Sequence, residues 1–365
     1  MAKNYSPTNV DLLNIGNNCN LNCIHCYFQE INDQRRRSVV KDISLAKKLK
    51  NQFPFSCFFI YPMDISTSKE LVPLLLEYQQ KSVLSNGIEL DDIFIAELLG
   101  NGVNEIIITL FSSYEEHSYF NRITADQYKK IKSNIELCGK HGLSVVVNNV
   151  LSKITKKSIG SLINRCNDLG VSKIEFIRLK PTGNARRIDK RLFLFEEDMF
   201  DIIDTIESCK SIFPNIHLRF NMSFGLDFYK KDLNQAKQKI LRGANEWIKS
   251  PYLCPAIGGN YFGISMRTGN IYSCFFAMDY EEFLMGKIDL ESGRIIRLDD
   301  YFLDPTILEE KLNGNCHSDN CQYKKLCLGG CRSTAFIFSK MKDEDDPLYA
   351  GMDICITKIK GKMGF

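Results

Sequence analysis

The stretch NNCNLNCIHCYFQ, residues 17–29, places three cysteines at C-x3-C-x2-C spacing: Cys19, Cys23 and Cys26, with His25 before the last and Tyr27 after it. Thiols three and four residues apart in a tight loop can aim at one centre but do not readily pair into unstrained disulfides. The spacing therefore predicts a metal centre. Structural zinc normally takes four protein ligands; no fourth cysteine is near, which leaves His25 as the neighbour able to serve. A cubane iron-sulfur cluster on three cysteines would instead keep one iron open for a small ligand, and an open iron implies chemistry rather than scaffolding.

Around this loop the chain alternates apolar runs with amphipathic segments. The runs DLLNIG, CFFIYP, SVLSNG, EIIITLF, LSVVVNNV and KIEFIRL read as strands, separated by helical patterns such as SKELVPLLLEYQQ and ADQYKKIKSNIELCGKHG. Successive βα units of this kind build a parallel sheet. Six of them before about residue 210 predict an α/β chain with a partial (β/α)6 TIM-type barrel, whose chemistry sits at the C-terminal ends of the strands. The cysteine loop follows the first strand and so falls on that face. The expected division is a barrel over 1–215, a linker or helical bridge over 216–253, and a cysteine-rich domain over 254–365.

Composition limits the partners. A chain of 365 residues, 44% hydrophobic and 25% charged, suits one large domain with a smaller one. A formal net charge of +3 gives no argument for nucleic acid. The start, MAKNYSPTNVDLL, lacks a signal-like apolar stretch, and no later run approaches the length of a membrane span; a cytoplasmic protein without membrane contact is expected. Fourteen cysteines in such a chain argue for metal ligation rather than disulfides. Cys57, Cys138, Cys166 and Cys209 are scattered and read as packing residues. His117, His141 and His217 are isolated and read as surface or packing groups, and Trp247 as a packing residue.

The cysteine spacing after a first strand, at the head of six βα units, resembles the radical S-adenosylmethionine (radical SAM) family over roughly residues 9–210. The resemblance implies that Cys19, Cys23 and Cys26 hold a 4Fe-4S cluster whose fourth iron is chelated by SAM, so that the missing ligand is the cosubstrate. Further positions fit the family's SAM-contacting pattern: Tyr27 beside the last cysteine, Ser85 and Asn86 in a TNG-type turn after the third strand, Thr109 on the fourth, Arg122 in HSYFNRI, Asn148 on the fifth, and PTGNA at 181–185. One segment departs from it. Where relatives end the second strand in GGEP, this chain reads Ile60-Tyr61-Pro62-Met63-Asp64. Asp64 is the candidate acceptor for the SAM ammonium there.

The last third resembles the SPASM extension, which houses two auxiliary 4Fe-4S clusters. It runs Cys254, then Gly269 and Cys274 as G-x4-C, then Cys316-x4-Cys321-x5-Cys327-x3-Cys331, and Cys355, with the local text CLGGCR; the family's C-x2-C is here C-x4-C. A zinc knuckle is the alternative for the dense run alone. The family's interleaving implies one cluster on Cys316, Cys321, Cys327 and Cys355. The other falls to Cys254, Cys274 and Cys331, with either a noncysteine fourth ligand or an open iron.

The resemblance thus implies three 4Fe-4S clusters, SAM, and a 5'-deoxyadenosyl radical that abstracts hydrogen from a substrate. Fold and cofactor do not fix that substrate. The expected role is a radical SAM oxidoreductase acting as a peptide maturase, forming a thioether or carbon-carbon cross-link or another oxidative modification. A separate peptide-recognition protein and an electron donor such as flavodoxin or ferredoxin are its expected partners. The alternatives are a formylglycine-forming sulfatase-maturating enzyme, a small-molecule radical SAM oxidoreductase, and a noncatalytic iron-sulfur partner protein.

Overall fold

The computed structural model describes residues 7, 9–28, 38–221, 261–298, 320 and 331–340. Cys254, Cys316, Cys321, Cys327 and Cys355 lie outside the described residues, as do Trp247 and His317. Two compact units divide the chain: Met1–Leu13, Ser44–Phe59 and Ser223–Phe365 make one, and Asn14–Ile43 with Ile60–Met222 makes the other.

The second of these units is built on a five-stranded, wholly parallel sheet in the order β3-β4-β5-β6-β7. Its strands are β3 (Ser82–Ser85), β4 (Glu105–Thr109), β5 (Ser144–Leu151), β6 (Lys173–Arg178) and β7 (His217–Asn221). Helices connect them, as parallel pairing requires: α2 (Val72–Glu77) before β3, α3 (Asp92–Gly100), α4 (Tyr114–Asn121), α5 (Ala125–Lys140), α6 (Ile159–Asp168) and α7 (Glu196–Ile212). Strict alternation on β4 and β6 buries Ile106, Ile108, Ile174 and Phe176 completely. The helix starts are coded locally. Asp91 caps α3 by accepting from the Phe94 amide at 2.7 Å, and Thr124 with Gln127 forms a reciprocal capping box on α5.

The α/β architecture with a parallel sheet is thus the one expected from the sequence. The strand β7 lies in the segment read as a bridge; its five residues, HLRFN, carry too short an alternation to stand out.

The first unit carries a six-stranded sheet in the order β11-β10-β9-β8-β1-β2. Here β1 (Asn9–Leu13) runs parallel to β8 (Tyr261–Ser265), with Asn9 opposite Tyr261 and Leu13 opposite Ser265. Then β9 (Asn270–Tyr272), β10 (Leu284–Ile288) and β11 (Ile295–Leu298) follow as an antiparallel meander, and β2 (Cys57–Tyr61) forms the far edge. Val10, Leu12, Phe262 and Ile264 have no exposed surface, and Phe53 meets Phe262 edge-on at 5.8 Å. Gly269 turns β8 into β9 at φ +76°, where a Cβ would come within 2.6 Å of the Ile288 carbonyl. The glycine of the G-x4-C pattern is therefore a turn requirement, and the hairpin it makes delivers Cys274 just past β9. On β1, Asp11 receives the Tyr261 hydroxyl at 2.8 Å; burial raises its carboxyl to about 7 against the opposing pull of that bond.

Gln80 mends an interruption in the backbone pairing. β2 and β3 fall in different sheets, and the amide of Gln80 stands in for a strand: Oε1 accepts from the Ile60 N–H at 2.8 Å, while Nε2 donates to the carbonyls of Ile60 at 3.1 Å and Ser82 at 2.9 Å. Leucine there leaves these buried backbone groups unsatisfied. Gln80→Leu is expected to lower unfolding stability by roughly 2–4 kcal/mol, read as a reduced urea midpoint with an unchanged slope; a midpoint equal to wild type would show that the amide is dispensable.

Candidate metal centre

The cysteine loop begins where β1 ends, and its backbone is irregular, so its polar groups are satisfied one by one. Asn14 and Gly16 take left-handed conformations at φ +57° and +84°. A Cβ on Gly16 would lie 2.6 Å from Ser68 Oγ, which explains the glycine. The Gly16 amide donates to Asp42 Oδ2 at 2.9 Å, the Asn17 amide to Ser68 Oγ at 2.8 Å, and Asn17 Nδ2 to the Thr67 carbonyl at 2.7 Å. Further on, the Ile24 amide donates to the Phe120 carbonyl at 2.9 Å.

From the other side the loop is gripped by the PTGNA segment. The Asn184 amide donates to the Cys26 carbonyl at 2.8 Å, and Asn184 Nδ2 reaches the Cys23 carbonyl at 3.0 Å and Asn22 Oδ1 at 3.3 Å. Gly183, at φ +58°, packs so closely on Cys26 and Tyr27 that a Cβ would fall 2.6 Å from the Tyr27 carbonyl. The sequence pattern placed this segment among the SAM-contacting positions; the structure adds that it also holds the cysteine loop itself.

Cys19, Cys23 and Cys26 are free thiols, each half-buried. Burial pushes all three above the ordinary thiol value, Cys26 to about 12. After burial comes charge: Cys23 is raised further by Cys26 and Cys19, Cys26 by Cys19, and Cys19 by Asp64. Three thiolates within range of one another's charge need positive charge among them, which fits an iron-sulfur cluster. Among the described residues, no three His, Cys, Asp or Glu side chains gather as ligands of a single ion. In a cubane each thiolate takes a different iron, so the sulfurs need not converge on one point. His25 is set for packing: its ring lies edge-on to Phe111 and Phe120 at 5.9 Å each, and its Nδ1 is buried without a protein partner.

The other expected positions are distributed unevenly. Asp64 follows β2 with no exposed surface and accepts four protein hydrogen bonds: Ser66 N–H at 2.8 Å, Ser66 Oγ at 2.7 Å and Ser85 Oγ at 3.1 Å on Oδ1, and the Asn86 amide at 2.9 Å on Oδ2. Burial raises its pKa while these donors pull it down. Asn86 reaches Cys19, so Asp64, Ser85, Asn86 and the cysteine loop form one connected group. Thr109, at the end of β4, faces Asn148, in the middle of β5, as a ladder partner, and Asn148 Oδ1 is buried without a protein partner. Tyr27 is half-buried with its ring 4.5 Å from Phe28. Arg122 is exposed and ends α4 in a left-handed conformation, φ +56°.

Of the second set of cysteines, Cys274 and Cys331 are described, and neither is in a disulfide. Cys274 packs with Tyr280 and Phe336 on the buried pair Ala277 and Phe283. Cys331 precedes α8 (Arg332–Lys340), the helix that carries Phe336, and its Sγ lies 3.2 Å from Ser333 Oγ. One apolar cluster therefore takes in Cys274 and the helix that Cys331 precedes.

Residues 13–166 match the model of the radical SAM superfamily. The matched segment takes in the cysteine loop and under half of the 365-residue chain. Curated relatives of this chain include probable GTP 3',8-cyclases from Saccharolobus islandicus strain Y.N.15.51, 24% identical over 196 residues, and from Saccharolobus solfataricus, 25% identical over 210 residues. These matches take in 52% and 55% of this chain and 61% and 66% of the relatives, so the chain spans under two thirds of the curated proteins it matches. Among solved structures, Streptococcus suis SuiB bound to the precursor peptide SuiA aligns with a TM-score of 0.67 at 14% identity, over 94% of this chain and 76% of that one. The protein anSMEcpe with bound AdoMet aligns with a TM-score of 0.64 at 15% identity, over 98% of this chain and 95% of that one. At these identities the likeness is one of fold alone.

Two outcomes follow from the loop's surroundings. Gly183→Ala is expected to force the 181–185 segment off Cys26 and to lower the iron bound after anaerobic reconstitution, while Gly139→Ala, on α5 with open space around it, leaves iron content unchanged. Equal iron in both variants would dismiss the close approach as a requirement.

The second concerns His117, which is fully buried between Phe111 at 5.4 Å and Tyr128 at 5.3 Å with neither ring nitrogen bonded. Burial, then the His25 charge, lowers it to about 3. Unfolded histidine titrates near 6.5, so the unfolded chain binds the extra proton between these values. The stability tied to a neutral His117 is full above about pH 6.5 and falls as pH drops towards 3. His117→Phe is expected to hold or raise stability at about pH 7 and to flatten the acid decline by about 1.4 kcal/mol per pH unit, measured by urea unfolding from about pH 6 to about pH 4. An unchanged slope would exclude His117 as the titrating group.

Proposed function

We propose that this chain is a radical SAM enzyme that modifies a peptide or protein substrate. The observation carrying the proposal is the three-thiol loop at the end of β1, held by Asp42, Ser68, Asn86 and the Gly183–Asn184 segment, with three cysteine ligands and no fourth cysteine beside them among the described residues. Cys19, Cys23 and Cys26 are the residues to hold a 4Fe-4S cluster, whose open iron takes SAM. Once bound, cluster and SAM together supply a 5'-deoxyadenosyl radical able to abstract an unactivated hydrogen. The chain's own contribution is position and exclusion. The loop's backbone is tied on both sides, so the sulfurs are preorganised, and the buried aromatic wall of Phe111 and Phe120 keeps water from the loop's inner face.

The choice of a peptide is supported by likeness across nearly the whole chain to SuiB and anSMEcpe, which have been solved with SuiA and with the Cp18Cys peptide. A cross-link or another oxidative modification is the reaction proposed, with Cys254, Cys274, Cys316, Cys321, Cys327, Cys331 and Cys355 holding two auxiliary clusters and a flavodoxin or ferredoxin as electron donor in the cytoplasm. Formylglycine formation is the neighbouring possibility within the same substrate class. A small-molecule substrate is the second reading, favoured by the probable GTP 3',8-cyclases; their match is confined to about half of this chain.

Anaerobic reconstitution with iron and sulfide, followed by SAM and dithionite, is expected to yield 5'-deoxyadenosine, with none from Cys23→Ala. Candidate precursor peptides should raise the yield and GTP should not. Stimulation by GTP alone would move the assignment to the small-molecule reading, and an iron-loaded protein that never cleaves SAM with any peptide would favour a noncatalytic partner.

A further inference from the structure

The orientation of the Asn86 amide is fixed by its neighbours. Its Oδ1 accepts from the Ile88 N–H at 2.9 Å, which turns Nδ2 towards the cysteine loop. One Nδ2 proton goes to Asn20 Oδ1 at 2.7 Å and the other points at Cys19 Sγ, 3.6 Å away. Flipping the amide would set its oxygen against the sulfur and its NH2 against the Ile88 N–H, so both ends oppose it. The amide's donors and acceptor are thereby all in use.

The backbone beneath is equally constrained. Residue 86 is pinned by its amide to Asp64 Oδ2, and Asp64 is itself held by Ser66 and Ser85, as described above. Cys19 Sγ also receives the Leu21 N–H at 3.4 Å, and in the thiol form approaches Asn20 Oδ1 at 3.9 Å. The Leu21 bond is local to the loop. The Asn86 bond spans 67 residues and is, among the described residues, the side-chain donor that reaches one of the three sulfurs.

We propose that Asn86 is a positioning residue that sets the reduction potential of the iron-sulfur cluster bound through Cys19, with Asp64 as its anchor. The proposal rests on the reading that Cys19, Cys23 and Cys26 hold such a cluster. Reduction adds one electron, and the extra negative charge spreads onto the ligand sulfurs. An N–H aimed at a sulfur stabilises that state more than the oxidised one and so raises the potential. The carboxylate of Asp64 would lower the potential by its charge, and burying it under four donors blunts that effect.

The test compares wild type with Asn86→Leu, which removes the donor, and Asn86→Asp, which keeps the shape and puts an acceptor against the sulfur. Each is reconstituted anaerobically and titrated with reductant before SAM is added, following the EPR signal that later changes shape on SAM addition. The expected result is a lower midpoint in Asn86→Leu by about tenfold in the reduction equilibrium, ~59 mV for one electron, and a larger drop in Asn86→Asp, at equal iron content.

Coincident midpoints at equal iron overturn the proposal. Where a variant fails to take up iron, wild type decides alone: with heavy nitrogen in asparagine side-chain amides, pulsed EPR of the reduced cluster is expected to show a nitrogen coupling, and its absence overturns the proposal as well. A wild-type protein that binds no iron instead sinks the cluster reading itself, and this inference with it.

Discussion

Irregular backbone holding three thiols has no ladder or helix of its own to satisfy it, and that constraint organises the rest of the second unit. Every buried amide and carbonyl in the cysteine loop must find a partner from elsewhere in the chain. Those partners come from α1 (Val39–Gln52) through Asp42, from the turn after β2 through Thr67 and Ser68, from the end of α4 through Phe120, and from the turn after β6 through Asn184. The parallel sheet sets out the ends of successive strands, so that segments distant in sequence can each reach the loop once. The Gly183 contact allows no side chain between the PTGNA segment and the Cys26 backbone, so the loop's position is fixed by backbone against backbone.

The carboxylate after β2 shows how one group can take over a structural task. Where relatives with GGEP present glycines, this chain has a buried Asp64 that joins the end of β2 to the end of β3. Gln80 does the same a few residues away, filling a place where strand pairing lapses. Between them they bind β2 to β3 through side chains rather than through a ladder. Such a seam depends on polar groups being fully paired, because a half-satisfied buried network is worse than an apolar one.

Much of the fold was legible because its signals are local. The strands β2, β3, β4 and β6 lie within the apolar runs read from sequence, β1 and β5 overlap theirs, and the loop cysteines fall after β1 because strand and motif are adjacent in the chain. The grouping of Asp64 with Ser85 and Asn86 was only half legible: the residue types suggested polar strand ends, but not that the carboxylate would be spent on its neighbours. The role of Gly183 was hidden because a glycine in a PTGNA context also fits an ordinary turn. The parallel pairing of β1 with β8 left no trace in either strand, since register between segments some 250 residues apart is set by tertiary packing and not by periodicity. His117 looked like a surface or packing residue, and its burial among aromatic rings comes from where α4 lands.

That distant pairing also orders events as the chain is made. β8 begins at Tyr261, some 250 residues after β1 and well past Met222, where the unit that contains the cysteine loop ends. Domains tend to fold as units in the order of synthesis, so the thiol-bearing unit can settle while the edge of β1 that β8 will take is still bare. An unpaired edge is a template for wrong partners, and the nascent chain carries that hazard until the C-terminal meander arrives to cover it.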